Sequence, residues 1–536
     1  MVTAPWYQTA VFYETLVRSF KDSNADGLGD LRGIIDRLDY LVWLGVDCLW
    51  LPPVFDSPLR DGGYDIGDYY TVHADVGTIE DFADLITAAH AKGVRVISDL
   101  VMNHTSDQHP WFQEARRPGS DRRDWYVWSD DPTRYAGARV IFFDYEESNW
   151  TWDEQAGAYY WHRFFGHQPD LNYDNPAVHD AMLDVVRFWL DMGLDGFRAD
   201  AIPYLYEREG TNSENLPETH AFLKKVRAMV DAEYGDKVML AEANQWPRDA
   251  AAYFGDGDEC HMNFHFPVMP RLYMGLARGH CRDLKQILAD TPAIPEGCQW
   301  GVFLRNHDEL TLEMVTPQER EFMWGFYAPD LRMRKNEGIR RRLAPLVDGD
   351  RRRIELLHGL LLSLPGSPVM YYGDEIGMGD EYLLHDRDGV RTPMQWESGP
   401  GAGFSSAPPD RFYLPIVTDP AHSPAAVNVA SQRDDPRSLL HWVKNLLAVR
   451  RLHPEMGVGT FEVLDPGNDA VFAFLRSAPG ATTLVLANFT AADQTGTLDG
   501  VRSGAASWVD LVTGEAVTAD TVGTLRPYQF RWIGLG

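Results

Sequence analysis

The feature that most restricts the fold of this chain is a repeated alternation of short apolar runs with longer amphipathic segments. Eight runs have the length and apolar character of buried strands: Val11–Phe20, Val46–Val54, Val94–Val101, Gly196–Ala201, Val238–Ala243, His261–Phe266, Gly301–Arg305 and Pro368–Tyr372. Strands buried on both faces of a parallel sheet have this β-branched, apolar composition. Apolar residues at helical spacing predict helices over Leu31–Leu44, Ile79–Ala91, Pro176–Met192 and Glu218–Tyr234. The alternation predicts the α/β class and a closed (β/α)8 TIM barrel.

Several segments depart from this alternation and predict the domain organisation. Residues 102–175 are too long for a loop and indicate a subdomain inserted after strand three. Residues 1–101 and 176–452 are then the first and second parts of the barrel domain. The Gly- and Pro-rich stretch Ile376–Arg433 predicts loops over the barrel mouth. Residues 453–536 predict a C-terminal antiparallel β-sandwich, because alternating strands recur at Val471–Leu475, Thr483–Asn488 and Ser507–Val512.

Charge and composition exclude several classes of protein. The net charge of −30 argues against a nucleic-acid binder, which needs a basic face, and the main basic run, Arg340–Arg342, is interpreted as a solvated loop or partner contact. No apolar run approaches the ~20 residues of a membrane span, and the N-terminus lacks a secretory pattern. The four cysteines have no CxxC pair, which indicates neither a zinc site nor a disulfide framework. We expect a cytoplasmic protein without nucleic-acid or membrane partners; homo-oligomer formation is left open.

Acidic residues recur where the predicted strands end: Asp99, Asp200, Glu242 and Asp308. Any one of them alone could be a structural residue of the barrel rim. Because the carboxyl ends of parallel barrel strands converge on one face, we expect all of them to line one pocket. Glycoside hydrolysis is the chemistry that needs paired carboxylates: one attacks or stabilises the sugar carbon, and the other protonates the leaving oxygen.

Basic residues accompany these carboxylates. Arg198 lies two residues before Asp200, so the two side chains point the same way from a strand. A neighbouring cation keeps a carboxylate ionised, as a nucleophile requires. His104 and His307 flank the same rim; a single histidine there is more often structural, but two beside carboxylates are candidate donors to sugar hydroxyls.

The segment Asp22–Asp30 predicts a calcium loop. Oxygen ligands fall at alternate positions, as in a chain that wraps Ca²⁺: Asp22, Asn24, Asp26, the carbonyl of Leu28 and Asp30. It resembles the start of an EF-hand, but Gly33 stands where the bidentate glutamate would be, so no EF-hand is expected. A plain Asx-turn is the alternative interpretation.

Taken together and in order, these motifs resemble the α-amylase family, glycoside hydrolase family 13, over nearly the whole chain. The matching segments are Asp99–His104, Gln168–Asn172, Gly196–Ala201, Glu242 and Phe303–Asp308. The resemblance implies that Asp200 is the nucleophile, that Glu242 is the general acid and base, and that Asp308 stabilises the transition state. Further implied substrate-binding residues are Tyr64 as a stacking platform, Asp65 and Arg391 as a clamp on the non-reducing end, Gln168, His104, Arg198 and His307.

Finer features resemble a branch of that family that interconverts maltose and α,α-trehalose by intramolecular transglucosylation. They include Tyr204–His220, Glu242–Pro247, Asn306–Leu312 and Arg332–Gly338. In that branch a second metal site is similar to one that these residues could build here: Asn103, Asp170, Glu207 and the carbonyls of Tyr204 and Leu205. The resemblance implies one or two structural Ca²⁺ ions and no organic cofactor.

The partition between transfer and hydrolysis is open at this point. Candidate lids that would exclude water are Thr211–Glu218 and Glu313–Gly338, and ordinary surface loops are the alternative. Phe165 and Trp246 are candidates for holding a mobile glucose. An α-glucosidase that hydrolyses maltose or isomaltose shares every catalytic residue. A non-catalytic binding subunit is disfavoured because Asp200, Glu242 and Asp308 are all present.

Overall fold

The predicted barrel is confirmed. A computed structural model describes residues 4–497, 501, 508–518 and 522–535. Eight parallel strands form a closed barrel in which each strand pairs with its sequence neighbours and the last pairs with the first. They are β1 (Phe12–Glu14), β2 (Cys48–Leu51), β3 (Arg95–Val101), β4 (Gly196–Asp200), β5 (Val238–Ala241), β6 (Met262–Phe264), β7 (Gln299–Phe303) and β8 (Ser367–Tyr371).

The strand positions agree with the sequence, but the first predicted strand was too long. Val11–Phe20 holds β1 and then a short helix, Val17–Phe20, so the chain turns directly after Glu14. The four predicted helices are present within one residue of their expected ends. Helices of six or more residues in the described part of the chain are Leu31–Leu44, Ile79–Ala91, Pro110–Ala115, Pro176–Asp191, Pro217–Glu233, Pro247–Ala252, Val268–Arg278, Arg282–Asp290, Pro317–Tyr327, Arg351–Leu361, Val429–Asp434 and Leu439–Leu452.

Local signals in the sequence fix where the early helices begin and end. Asp30 caps the helix Leu31–Leu44 by accepting from the backbone N–H of Gly33 at 2.7 Å. Gly45 ends the same helix in the left-handed region at φ 108°, a conformation that favours glycine. Thr78 and Asp81 form a capping box at the start of Ile79–Ala91. These boundaries hold the loops that follow β1 and β2 in place above the barrel.

The segment between β3 and β4 contains its own small sheet, as the insertion predicts. Its three antiparallel strands are Trp128–Ser129, Trp150–Asp153 and Ala158–Trp161, with the last in the middle. Aromatic residues pack around it, including Trp150 against Trp161 with ring centroids 5.0 Å apart. A second three-stranded sheet lies between β7 and β8 and pairs Leu310–Thr311, Gly338–Ile339 and Arg334–Lys335.

The C-terminal region is an antiparallel sheet domain. Its six-stranded sheet has the order Thr460–Leu464, Val471–Ala478, Ala481–Asn488, Phe530–Gly534, Trp508–Asp510 and Ala516–Val517. One face packs on the main core through residues such as Phe474 and Trp532. The other face is covered near Leu525, which belongs to a two-stranded sheet, so the second layer of the predicted sandwich is small. Ser507, the start of one predicted strand, lies outside the described residues, as do residues 1–3 and 536.

The basic run Arg340–Arg342 is not a solvated loop. The guanidinium of Arg342 is buried and donates to the carbonyl oxygens of Tyr372 and Val390. Arg341 pairs with Asp380 at 2.9 Å. The run therefore ties the largely irregular segment after β8 to the barrel. The four cysteines are buried free thiols. In the described ranges no helix has both the length and the apolarity needed to cross a bilayer.

Candidate active site

Arg198 organises three of the strand-end carboxylates. It lies in β4, is 1% exposed, and donates to Asp99 Oδ2 at 2.6 Å. The same terminal nitrogen, Nη1, contacts Asp200, and the other, Nη2, contacts Glu242. Parallel strands β3, β4 and β5 are neighbours in the barrel, so their carboxyl ends bring these side chains together as the sequence predicts. The two predicted catalytic carboxylates therefore face one sugar-sized space.

A strained backbone position helps to hold Glu242. Ala201 follows Asp200 directly and has φ 50°, in the left-handed region that a residue with a side chain seldom adopts. This turn lets the Ala201 N–H donate to Glu242 Oε2 at 3.1 Å. Strain of this kind persists where surrounding contacts over-determine the geometry, which is frequent at active sites.

Burial sets the protonation of the catalytic pair. Burial raises the pKa of Asp200 to about 7, with Arg198 opposing the shift and Asp99 adding to it. Burial also raises the pKa of Glu242 to about 8, against the pull of Arg198 and with the push of Asp200. Two close carboxyl groups lose their protons in two steps that belong to the pair. Near neutral pH the pair shares one proton, which favours Glu242 and leaves Asp200 ionised as a nucleophile requires.

Asp308 is held as a carboxylate beside this pair. It accepts from Arg387 at 2.7 Å and from Arg391 at 3.1 Å, and its other oxygen lies 3.3 Å from Nε2 of His307. Burial alone would raise the pKa of Asp308, but His307 and the two arginines outweigh it and the pKa lies well below its usual range. An ionised Asp308 suits a residue that stabilises positive charge on a sugar ring.

Tyr64 lines the cavity, and His307, which does not line it, packs against Tyr64. Their rings stack at a centroid distance of 5.4 Å with an interplanar angle of 9°. The Tyr64 hydroxyl lies 2.7 Å from Asp99 Oδ2 and 2.8 Å from His307 Nε2. This places Tyr64 where the resemblance expects a stacking platform.

Asp65, the residue expected to clamp the substrate, does not line the cavity, whereas the nearby Asp61 does. Asp65 is 0% exposed and accepts from the Ser57 hydroxyl at 2.9 Å and from the Arg60 N–H at 3.1 Å, so it shapes the loop and does not line the cavity. Asp61 lines the cavity and accepts from Arg387 at 2.7 Å. Arg387, which also lines the cavity, therefore joins Asp61 to Asp308.

Gln168 and Arg391 stand behind this clamp. Gln168 is fully buried and donates to Asp61 Oδ2 at 2.9 Å. Arg391 donates to the His307 carbonyl at 2.9 Å as well as to Asp308, and it does not line the cavity. Both residues therefore orient groups that line the cavity: Gln168 orients Asp61, and Arg391 orients Asp308.

The two aromatic residues that were candidates for holding a mobile glucose do not line the cavity. Phe164 lines the cavity, whereas Phe165 does not and packs against Phe142 with ring centroids 4.7 Å apart. Trp246 is 40% exposed and also lies outside the cavity lining. His104 lines the cavity, and burial lowers its pKa to about 3, so its ring is neutral near pH 7.

The cavity that these residues line opens to solvent and has a volume of about 130 Å³. Further residues that line it are Ile141, Phe142, Phe164, Tyr204, Asn244, Phe266, Asn306, Glu309, Thr311 and Glu313. The mixture of aromatic faces and polar groups suits a second sugar ring beside the catalytic pair.

An ion-pair network, here called the mouth latch, reaches the cavity wall at Glu313 and consists of Arg139, Arg163, Glu214 and Glu313. Arg139 belongs to the inserted segment and donates to Glu214 at 2.9 Å and to Glu313 at 2.8 Å. Arg163, buried in the same insertion, also pairs with Glu214. Both segments that the sequence marks as candidate lids thus contribute a carboxylate to one arginine.

The residues of the implied second metal site carry unpaired buried oxygens. Asn103 Oδ1, Asp170 Oδ2 and Glu207 Oε1 are buried without a hydrogen-bond partner. Burial raises the pKa of Asp170 to about 8, and burial with the charge of Asp170 raises the pKa of Glu207 well above its usual range. Oxygens of this kind fit a hard cation such as Ca²⁺. In the described part of the chain no three His, Cys, Asp or Glu side chains cluster as a metal site; this set has two carboxylates and an amide.

The loop Asp22–Asp30 is held by its own backbone. Asp22 accepts from the N–H groups of Asn24 at 2.9 Å and Ala25 at 2.7 Å. Asn24 and Asp26 each accept from the N–H two residues further on, at 2.9 and 2.8 Å. These bonds form Asx-turns, and a carboxylate with about four lone-pair sites still has capacity for a cation. Calcium in this loop stays a prediction.

Sequence reasoning missed several residues of the site. Glu14, at the end of β1, contacts Nδ1 of His307, and Trp50, at the end of β2, donates to Asp99. Both could have been found by the rule that located the other carboxylates, namely that strand ends converge. Arg387 and Arg139 lie in irregular segments, where no periodic signal shows which way a side chain points.

A closed parallel barrel with this acidic cluster at the carboxyl ends of its strands defines an enzyme that acts on glycosidic bonds. The catalytic-domain model of alpha-amylase matches residues 15–323 and 340–459, and the model of the maltogenic amylase C-terminal domain matches 461–532. The chain belongs to the α-amylase family, which confirms the resemblance of its motifs.

The chain is also similar to individual proteins along most of its length. A trehalose synthase/amylase from Mycobacterium tuberculosis is 62% identical over 480 residues, which are 89% of this chain and 80% of the relative. A trehalose synthase from Pimelobacter sp. is 60% identical over 485 residues, 89% and 85% of the two chains. The crystal structure of trehalulose synthase from Pseudomonas mesoacidophila MX-45 matches with a TM-score of 0.81 at 29% identity, covering 99% of this chain and 100% of the other.

Proposed function

We propose that this enzyme interconverts maltose and α,α-trehalose by intramolecular transglucosylation with net retention, and that it releases some glucose by hydrolysis. The observation that carries the proposal is the contact of Asp200 and Glu242 with one buried guanidinium beside a cavity that both carboxylates line. The trehalose synthases at 60–62% identity support the choice of substrate.

The geometry supports a double displacement. The non-reducing glucose of maltose lies over Tyr64 and is held by Asp61 and Arg387. Glu242 gives its proton to the bridging oxygen while Asp200 attacks the anomeric carbon, which yields a covalent glucosyl ester and a free glucose. That glucose turns over, Glu242 takes the proton from its anomeric hydroxyl, and the hydroxyl attacks the ester from the same face. Two inversions give the α,α-linked product.

Retention of the freed glucose decides between transfer and hydrolysis. A glucose held beside the ester reacts at an effective concentration that bulk water cannot match, provided that water is kept out. The mouth latch ties the insertion to both lid segments, and Phe142 and Phe164 line the wall behind it. These links between the insertion and both lid segments favour the isomerase over the alternative, an α-glucosidase acting on maltose or isomaltose.

We also propose structural calcium at the second metal site. The unpaired oxygens of Asn103, Asp170 and Glu207 would hold it, with the carbonyls of Tyr204 and Leu205 as further ligands. A cation there would neutralise two buried carboxylates and fix the insertion to the loop after β4. A cytoplasmic location and a homo-oligomer remain predictions from the sequence.

Chromatography of the products formed from maltose tests the proposed function. We expect trehalose as the main early product with a smaller amount of glucose, and maltose when trehalose is supplied. If glucose is the only product at all times, the enzyme is an α-glucosidase and the proposed isomerase activity is contradicted.

A further inference from the structure

Glu14 is a buried carboxyl group that contacts His307, whose ring stacks on the cavity residue Tyr64. It ends β1, is 0% exposed, and contacts Nδ1 of His307 through Oε1. The same oxygen also accepts from the backbone N–H of His307 at 3.3 Å. Its second oxygen, Oε2, is buried without a hydrogen-bond partner. None of the proposed chemical steps uses this group directly.

The contacts of His307 Nε2 determine whether this nitrogen carries a proton. A tyrosine hydroxyl has one proton, and the Tyr64 hydroxyl lies 2.7 Å from the carboxylate of Asp99. If Tyr64 donates to Asp99, then Nε2 of His307, which is 2.8 Å from the same hydroxyl, must itself carry a proton. Asp308 Oδ2 lies 3.3 Å from Nε2 and would repel a bare nitrogen lone pair there. Both contacts require an Nε2–H.

The other ring nitrogen, Nδ1, must then either donate a hydrogen bond to Glu14 or accept one from it. A neutral imidazole with its proton on Nε2 has a bare Nδ1, and the protonated carboxyl of Glu14 can donate to it. Burial raises the pKa of Glu14 well above its usual range, and burial lowers that of His307. The unpaired Oε2 agrees with a neutral carboxyl, since an ionised one would leave charge unsatisfied there. Ionisable groups facing this pair from the other strands and loops are Asp99, Arg198, Asp308, Tyr371, Arg387 and Arg391.

We propose that Glu14 is a positioning residue that acts through His307: its carboxyl group fixes the imidazole as the Nε2–H tautomer, so that a donor faces Tyr64 and Asp308. This inference takes the identity of the substrate from the proposed function. The position of the proton on His307 follows from the contacts of the ring and does not depend on that function. It extends to His307 the logic by which a buried acid sets the tautomer of a catalytic histidine.

The substitution Glu14→Gln tests the tautomer with little change in shape. The glutamine oxygen is favoured at the Oε1 position, because the His307 N–H points at that atom, and it then accepts from Nδ1–H. Nε2 would be left bare against Asp308. We expect kcat/KM to fall about 10- to 100-fold, in the range of lost charged hydrogen bonds. The ratio of variant to parent activity should recover only well below pH 6.5, the ordinary pKa of a histidine, because burial lowers the pKa of His307.

A matched control is Glu375→Gln. Glu375 is also fully buried and accepts from the hydroxyls of Tyr13 and Tyr40 at 2.9 and 2.6 Å, outside the cavity lining. We expect this variant to lower the melting temperature without altering the shape of the pH profile. If Glu14→Gln matches the parent in kcat/KM and pH profile, or behaves like the control, the proposal is overturned.

A measurement on the unaltered enzyme covers the case in which Glu14→Gln does not fold. NMR of the enzyme labelled with ¹⁵N-histidine reports the tautomer directly. The signals of His307 are those that are missing from the spectrum of the His307→Gln variant. We expect Nε2–H at pH 7.5, and an Nδ1–H tautomer would refute the role of Glu14. This readout does not depend on products, so it separates failure of this inference from failure of the proposed function.

Discussion

The carboxylates of Asp200 and Glu242 contact the same guanidinium, that of Arg198, one at each terminal nitrogen. A single buried cation thus sets the distance between the nucleophile and the acid, and also favours the ionised form of each. Because Nη1 carries Asp99 as well, the cation neutralises Asp200 less completely than an isolated ion pair would.

The first prediction concerns pH. Activity requires Asp200 ionised and Glu242 protonated, and burial raises their pKa values to about 7 and about 8. We expect kcat/KM to rise with pH as the first proton leaves the pair, to peak between these values, and to fall as the second leaves. Initial rates on maltose across pH 5–10 measure this. A profile that rises near the ordinary carboxylate pKa, about 4, would show that burial does not set the titration.

The second prediction separates Asp61 from Asp65. Asp61→Asn removes the charge that pairs with Arg387 in the cavity, so we expect kcat/KM to fall about 10- to 100-fold, as for loss of a charged hydrogen bond. Asp65→Asn should mainly lower the melting temperature, because Asp65 ties down its own loop. Kinetics and thermal unfolding of both variants measure this. A larger loss of kcat/KM in Asp65→Asn would restore the clamp to Asp65.

The contrast between these two aspartates shows what the sequence could supply. The alternation of strands and helices predicted the barrel, and the convergence of its strand ends predicted that Asp99, Asp200, Glu242 and Asp308 meet at one face. The loop holding Asp61 and Asp65 has no regular period, so the motif located the segment but not which carboxylate enters the cavity.

Other differences have the same physical cause. Phe164 and Phe165 are adjacent in irregular backbone, and only tertiary packing decides that Phe164 faces the sugar site. Arg387 lies in the long segment after β8, where it meets Asp61 from more than 300 residues away in the chain. Long-range ion pairs of this kind have no signal in a single sequence.

The third prediction concerns the mouth latch. Arg139→Gln removes the links to Glu214 and Glu313, so water should reach the glucosyl ester more often. We expect the ratio of glucose to trehalose to rise about tenfold, since a change of about 1.4 kcal/mol in competing barriers has that effect. Product analysis at low conversion measures the ratio.

Arg187→Gln is the control for that variant. Arg187 is 36% exposed, as against 39% for Arg139, and it also pairs with two carboxylates, those of Asp184 and Glu233. It lies on the outer helix Pro176–Asp191, so its loss should leave the product ratio unchanged. An equal change in both variants would mean that the latch does not control access of water.

The fourth prediction concerns calcium. Removing the cation with a chelator should lower the melting temperature, and added Ca²⁺ should restore it; a ligand at 100 times its Kd stabilises by about 2.7 kcal/mol. Glu207→Gln should reduce this response, because it removes a carboxylate with an unpaired buried oxygen. Scanning calorimetry with and without Ca²⁺ measures both. If Ca²⁺ raises the melting temperature of Glu207→Gln as much as that of the parent, calcium does not bind at Glu207, and the loop Asp22–Asp30 is the next candidate.

The most direct measurement is the conversion of unlabelled maltose in the presence of excess ¹³C-labelled glucose, with the trehalose analysed by mass spectrometry. If the freed glucose stays beside the Asp200 ester until it is transferred, the early trehalose carries no label. Trehalose that carries the label, or glucose as the only product, would contradict transfer within a closed cavity.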